Sequence, residues 1–122
     1  MTLADSNAII DSISPNHPVL QAFFARENPH ASATSVVEVL GFRGIVPADE
    51  ARYRQYFGRV TVYSITDAIM WRAVALRQQK RMSLGDAFIA ATALEHNLTL
   101  ATRNTADFKH IAGLVLVDPY VP

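Results

Sequence analysis

Asp5, Glu38, Asp86 and Asp107 each interrupt a stretch that is otherwise apolar or built of small residues: MTLADSNAII, TSVVEVLGF, RMSLGDAFIAATAL and ATRNTADF. Ionised carboxylates are costly to remove from water, so acids set among core-type residues point to a shared site where something offsets their charge. A divalent cation does that. Magnesium takes oxygen ligands, keeps several waters, and is held by one or two carboxylates together with phosphate oxygens of a substrate. The chemistry open to such a set is metal-assisted hydrolysis, with no protein nucleophile required.

Each acid also has a purely structural reading. Asp5 can cap a helix, Asp86 can form half of a capping box with Ser83, and Asp107 can sit in a first helical turn after Thr105. Glu38 falls mid-helix and caps nothing, so its alternative is plain solvation. Asp67 directly follows a capping Thr66 and reads as structural, while Asp11, Asp49, Glu50, Glu95 and Asp118 read as solvated.

Positioning the four acids requires an alternation of short apolar runs with segments of helical period, the pattern of a parallel sheet wrapped by helices. Met1 to Ala4 reads as a strand ending at Asp5, with a short helix over Ala8 to Ser12. A helix over Pro18 to Arg26 and a brief strand over His30 to Ala33 follow. Thr34 or Ser35 is the expected cap of the helix that carries Glu38 and runs to the Gly41 to Gly44 region. A helix over Ala48 to Phe57, a strand over Thr61 to Tyr63 and a helix from Asp67 to about Lys80 come next. Ser83 caps the helix of Asp86, which ends near His96 and Asn97. Leu98 to Ala101 is a fourth strand, TRNTADF a loop entering a helical turn, and Leu114 to Val117 a last strand.

In this order Asp5 and Asp107 fall at or just beyond carboxyl ends of strands, where open α/β sheets bind ligands. Glu38 shares a small, polar helix stripe with Thr34, Ser35 and Gly41. The alanines around Asp86 permit close approach of neighbouring elements.

Composition sets limits. The 122 residues, half of them apolar, suffice for one domain with one core, expected to span 1–122. Eleven basic and eleven acidic residues cancel, so a polyanion must be held locally. There is no cysteine, which excludes disulfides and thiolate sites. No apolar run approaches the roughly 20 residues of a membrane helix, and a soluble, cytoplasmic protein is expected. Asn7 stands where a haloacid-type phosphatase needs a second aspartate, the third strand, TVYSITD, supplies no receiver-type phosphoacceptor at its end, and the glycines at 41, 44, 58, 85 and 113 form no dinucleotide-binding turn.

LADSNAIID, SVVEVLGF, LGDAFIAATALEHNLTLATRNTADF and IAGLVLVDP together resemble a PIN domain, most closely the toxin nuclease of the VapBC type, over almost the full length. The resemblance implies a three-layer α/β/α fold with a short central parallel sheet. It implies a magnesium- or manganese-dependent ribonuclease, with Asp5, Glu38, Asp86 and Asp107 as the acids that hold the metal. Asp5 and Asp107 are then assigned as direct ligands, Glu38 and Asp86 as ligands through metal or bound water, and Ser6 and Asn104 as orienting groups. Asn104 departs from the relatives, which often carry another acid there. The substrate implied is RNA, with Arg103 as the best single candidate for a phosphate contact; Arg72, Arg77, Lys80 and Arg81 read either as tracking the strand farther out or as an ordinary solvated helix end whose charges complement the helix dipole. His96 and His110, lacking any paired spacing, read as surface or helix-end residues.

A toxin nuclease implies an antitoxin partner and a homodimer. Tyr53, Tyr56, Phe57, Met70 and Trp71 on exposed helices are candidates for such interfaces as well as for the core. The rival reading is a catalytically inactive PIN-like module that acts only by binding protein.

Overall fold

Twelve elements follow one another in the computed structural model, which describes residues 1–122: β1 (Thr2–Ala4), α1 (Ser6–Asp11), α2 (Pro18–Glu27), β2 (Ala31–Ser32), α3 (Ala33–Leu40), α4 (Pro47–Arg59), β3 (Val62–Tyr63), α5 (Asp67–Gln79), α6 (Leu84–Glu95), β4 (Thr99–Ala101), α7 (Thr105–Phe108) and β5 (Leu116–Val117). Local chemistry explains most boundaries. Asp5, Ser32, Thr66 and Ser83 cap α1, α3, α5 and α6 through side-chain oxygens, and Pro18 and Pro47 open α2 and α4. Asn28, in the left-handed region at φ 44°, stops α2.

All strand pairs are parallel. β1, β4 and β5 form one ladder in the order β1-β4-β5, and β2 pairs with β3. A bridge between Leu3 and His30 joins the two, with Ala4 N–H donating to His30 O and His30 N–H to Thr2 O, both at 2.9 Å. The strands therefore run 3-2-1-4-5 across the molecule, and the chain order reverses between β1 and β4.

Successive residues of β1 face opposite layers. Leu3 packs with Leu100, Ile69, Ala73 and Leu76 and the apolar residues of α6. Ala4 packs with Ala8, Leu20, Val39 and the aromatic side of α4. With strands of two or three residues, the helices supply most of the burial. Helix α6 shows this best: Ala87, Ile89, Ala90, Ala91 and Ala93 are all at most 1% exposed, as expected for a helix enclosed on every side.

Several expectations change. The cap of α3 is Ser32, not Thr34 or Ser35, because β2 ends a residue early and Ser32 Oγ accepts from Thr34 N–H at 3.1 Å. Tyr53, Tyr56 and Phe57 are core residues, with the Tyr56 hydroxyl donating to Pro29 O at 2.6 Å. Trp71 and Met70 do stay outside, at 65% and 38% exposed. Asp11 is not simply solvated, since it accepts a 2.6 Å hydrogen bond from Tyr120. His96 does end α6, where it stacks on Tyr63 with centroids 4.2 Å apart, but both ring nitrogens of His110 are enclosed rather than at the surface.

Candidate active site at the carboxyl edge of the sheet

Strand β1 delivers Asp5 to the point where the strand order reverses, the place at which open α/β sheets take ligands. Asp5 is only 7% exposed. Its Oδ1 accepts from Ala8 N–H at 2.9 Å, which caps α1, and its Oδ2 accepts from the Thr102 hydroxyl at 2.6 Å. Thr102 directly follows the adjacent strand β4, and its hydroxyl oxygen also accepts from Asn104 N–H at 3.1 Å. The structural reading of Asp5 as a cap is thus correct, and the second carboxylate oxygen does something different: it ties the two central strand ends together. Burial pushes the Asp5 carboxyl above its ordinary value. The Thr102 and Ala8 hydrogen bonds oppose this, while the charges of Asp86 and Asp11 add to it.

Glu38 projects from the α3 stripe that the sequence marks as small and polar. The Ser6 hydroxyl donates to Glu38 Oε1 at 2.6 Å and shares a 2.9 Å hydrogen bond with Ser35 Oγ. On the other side, Gly85 lies so close that a Cβ there would sit 2.6 Å from Glu38 Oε2. Glycine at this position lets the start of α6 come down onto the glutamate, and α6 brings Asp86 with it.

Asp86, in the first turn of α6, is half-buried. Its carboxyl is raised by burial; a Ser83 hydrogen bond lowers it, and the charges of Glu38 and Asp107 raise it further. Asp86 and Asp107 line a cleft of about 240 Å³ together with Lys80, Arg81, Met82 and Ser83. Asp107 itself is exposed, as is Glu38. The acids therefore run from buried Asp5 to an open rim, with Asp86 between: its charge acts on Asp5, and those of Glu38 and Asp107 act on it.

No three histidine, aspartate or glutamate side chains form a closed cation-binding group. The donor set is nevertheless all oxygen, and its charges repel one another, which suits a hard divalent ion that completes its shell with water and phosphate oxygens. Of the basic residues singled out from the sequence, Lys80 and Arg81 line the cleft. Arg72 is instead paired with Glu95 at 2.6 Å, and Arg77 donates to Met82 O at 3.3 Å. Arg103 lies over the ring of Tyr120, 3.6 Å from its centroid.

The sequence reading did not single out Thr102 or Gly85. A signal for Thr102 was present: Thr2-Leu3-Ala4 precedes Asp5 as Thr99-Leu100-Ala101 precedes Thr102, and the two triplets pair residue for residue. Replacing Thr102 with valine removes the donor from a buried carboxylate and should cost about 1–3 kcal/mol near neutral pH. At pH 4 the loss should be smaller, because a protonated Asp5 has less need of the donor. Urea melts of Thr102→Val at both pH values check this, and an equal loss at both would contradict it.

The PIN domain family model matches residues 2–114. The chain belongs to the PIN domain family. Its fold recurs in solved structures over essentially the whole length. A chain of a toxin–antitoxin complex from Klebsiella pneumoniae is 35% identical, with all of both chains covered and a TM-score of 0.81. FitAcB from Neisseria gonorrhoeae is 25% identical, again with all of both chains covered, at 0.79. VapBC2 from Rickettsia felis, bound to a DNA fragment from their promoter, is 16% identical over 95% of this chain and 96% of its own, at 0.82, a likeness of fold. A comparison with curated proteins gave no match. The sequence resemblance to a PIN domain is thereby borne out, together with the α/β fold built on a small parallel sheet.

Proposed function

We propose that this PIN domain is a magnesium- or manganese-dependent endoribonuclease, acting as the toxin of a VapBC-type toxin–antitoxin pair. The observation that carries the reading is the gathering of acids at the sheet edge: Asp86 and Asp107 line one cleft, Glu38 lies against Gly85 beside Asp86, and Asp5 is held by Thr102 at the neighbouring strand end. Like charges gathered at a ligand-binding edge destabilise the protein by itself and favour a bound cation.

Asp5 and Asp107 are the direct ligands in this reading, and Glu38 and Asp86 complete the site directly or through water. A divalent ion held there supplies Lewis-acid neutralisation of the scissile phosphate and a lowered pKa for the attacking water. Ser6 fixes the orientation of Glu38 through its 2.6 Å hydrogen bond. Thr102 holds Asp5 in place, and Asn104 orients substrate from the same loop. Arg103, Lys80 and Arg81 hold phosphates of the strand on either side.

The partner implied is a small antitoxin, supported by the Klebsiella pneumoniae neighbour, which is a toxin–antitoxin complex at 35% identity. A homodimer would cover part of the apolar surface around Trp71, and the RNA substrate places the work in the cytoplasm. No helix is long and apolar enough to cross a membrane. The inactive, protein-binding alternative has one observation in its favour, the lack of a closed group of three ligands.

The test is incubation of antitoxin-free protein with folded cellular RNAs, with magnesium or manganese and again with chelator. Discrete cuts that need the metal support the nuclease. Intact RNA at micromolar protein in both metals leaves the binding-module reading.

A further inference from the structure

Tyr120 lies beyond β5, outside the four acids, and is held from several directions. Its hydroxyl donates to Asp11 Oδ2 at 2.6 Å, its N–H donates to Asp118 Oδ1 at 2.9 Å, and its ring meets His17 edge-on with centroids 5.4 Å apart. Pro119 beside it is fully buried. The fixed ring is the platform on which the Arg103 guanidinium rests, 3.6 Å from the centroid. Asp5 and Arg103 are both close enough for their charges to act on Tyr120, so the platform stands next to the carboxylate site. Arg103 enters none of the ion pairs of the protein.

An exposed arginine beside a cluster of acids would ordinarily fold onto one of them. Stacking prevents that while leaving the in-plane N–H donors free, and a planar guanidinium offers those donors in the fork that fits a phosphate. We infer that Tyr120, anchored by Asp11, is a positioning residue that holds Arg103 off the acids and ready for a backbone phosphate of single-stranded RNA. The inference deepens the nuclease reading and rests on its choice of Arg103 as a phosphate contact. Its new content is that strand affinity depends on a side chain that touches neither metal nor RNA.

The test is binding of a fluorescent single-stranded RNA to the full chain carrying Asp86→Asn, so that the strand is not cut, over a series of salt concentrations. Adding Arg103→Gln should weaken binding about three- to tenfold, the range expected for one preorganised cation, and lower the slope of log affinity against log salt by about 0.7. Tyr120→Leu should reproduce both changes, and the two together should do no more than either alone. Tyr120→Phe, which keeps the ring and loses the Asp11 bond, should fall between parent and Tyr120→Leu. The ring-current shift of the Arg103 side-chain protons should vanish in Tyr120→Leu and persist in part in Tyr120→Phe. If Tyr120→Leu fails to fold, Tyr120→Phe and Asp11→Asn serve in its place.

Parent-like affinity and salt slope in the Tyr120 variants, with the ring-current shift lost, would overturn the inference and leave the nuclease standing. RNA binding that depends on both residues, in a wild type that cuts no RNA with either metal, would sink the nuclease and leave the platform. If the parent binds no RNA at all, the inference falls, and wild-type cleavage then decides the nuclease reading separately.

Discussion

Asparagine at position 86 will make the metal-free protein more stable and nearly inactive. The Asp86 carboxyl is raised by burial and by the charges of Glu38 and Asp107, so its ionised form is disfavoured in the folded state. A carboxyl whose folded pKa lies above its unfolded value stabilises the fold fully only below the unfolded value, 3.8 here, and that contribution is lost as pH rises through the folded value. At neutral pH wild type therefore carries an unfavourable charge that Asp86→Asn removes. The Ser83 cap survives the change, because it uses the backbone N–H of residue 86. Melting temperature without metal should rise by a few degrees at pH 7, with the difference shrinking toward pH 4. Cleavage in magnesium should fall at least about a hundredfold, the scale expected when a charged group of a metal site is lost. Magnesium should also stabilise the variant less than wild type, since a ligand stabilises in proportion to its occupancy of the folded state. A variant less stable than wild type without metal at pH 7 would show that the acids are not in mutual repulsion.

Gly85→Ala should separate activity from stability even more cleanly. The new methyl group would sit 2.6 Å from Glu38 Oε2, 3.1 Å from its Cδ and 3.2 Å from Oε1, so the carboxylate has to leave. The displaced group is the end of a flexible, exposed side chain, and alanine favours a helix over glycine by about 0.5–1 kcal/mol, so the melting temperature should hold or rise slightly. Glu38 would lose its 2.6 Å bond from Ser6, and metal-dependent cleavage should drop about 10- to 100-fold, as when an orienting partner of a ligand is removed. Wild-type activity in Gly85→Ala would show that Glu38 need not stand between Ser6 and α6. Ser6→Ala, which removes the same hydrogen bond from the other side, should lose activity in the same direction without an added methyl group.

The order of elements was legible because caps and periods agree with burial: Thr66 and Ser83 start the helices expected of them, and the apolar runs at Leu3 and Leu100 are the central strands. The α3 stripe was equally readable, since residues three and four apart on a helix must share a side, and Ser35 and Glu38 do converge on Ser6. The cap of α3 was misjudged because Ser32, Thr34 and Ser35 are all competent caps, and the choice among them was made by how far β2 pairs with β3. In the sequence Tyr53, Tyr56 and Phe57 suit interface and core alike, because nothing local shows that α4 packs back over α2 and the start of the sheet. The platform at Tyr120 joins α1, the β4–α7 loop and the segment after β5, and Asp11 and Tyr120 are 109 positions apart. Contacts at that separation leave no periodic trace, so only the folded chain reveals them.

The proposed nuclease requires Asp5, Glu38, Asp86 and Asp107 to share one divalent ion. Manganese is paramagnetic, and titrating it into isotope-labelled protein broadens the resonances of residues near the bound ion. One saturable site should broaden signals from the end of β1, the middle of α3, the start of α6 and α7 together, and Asp5→Asn and Asp86→Asn should each weaken that binding. Broadening confined to one of these segments, or unchanged manganese affinity in both variants, would contradict it.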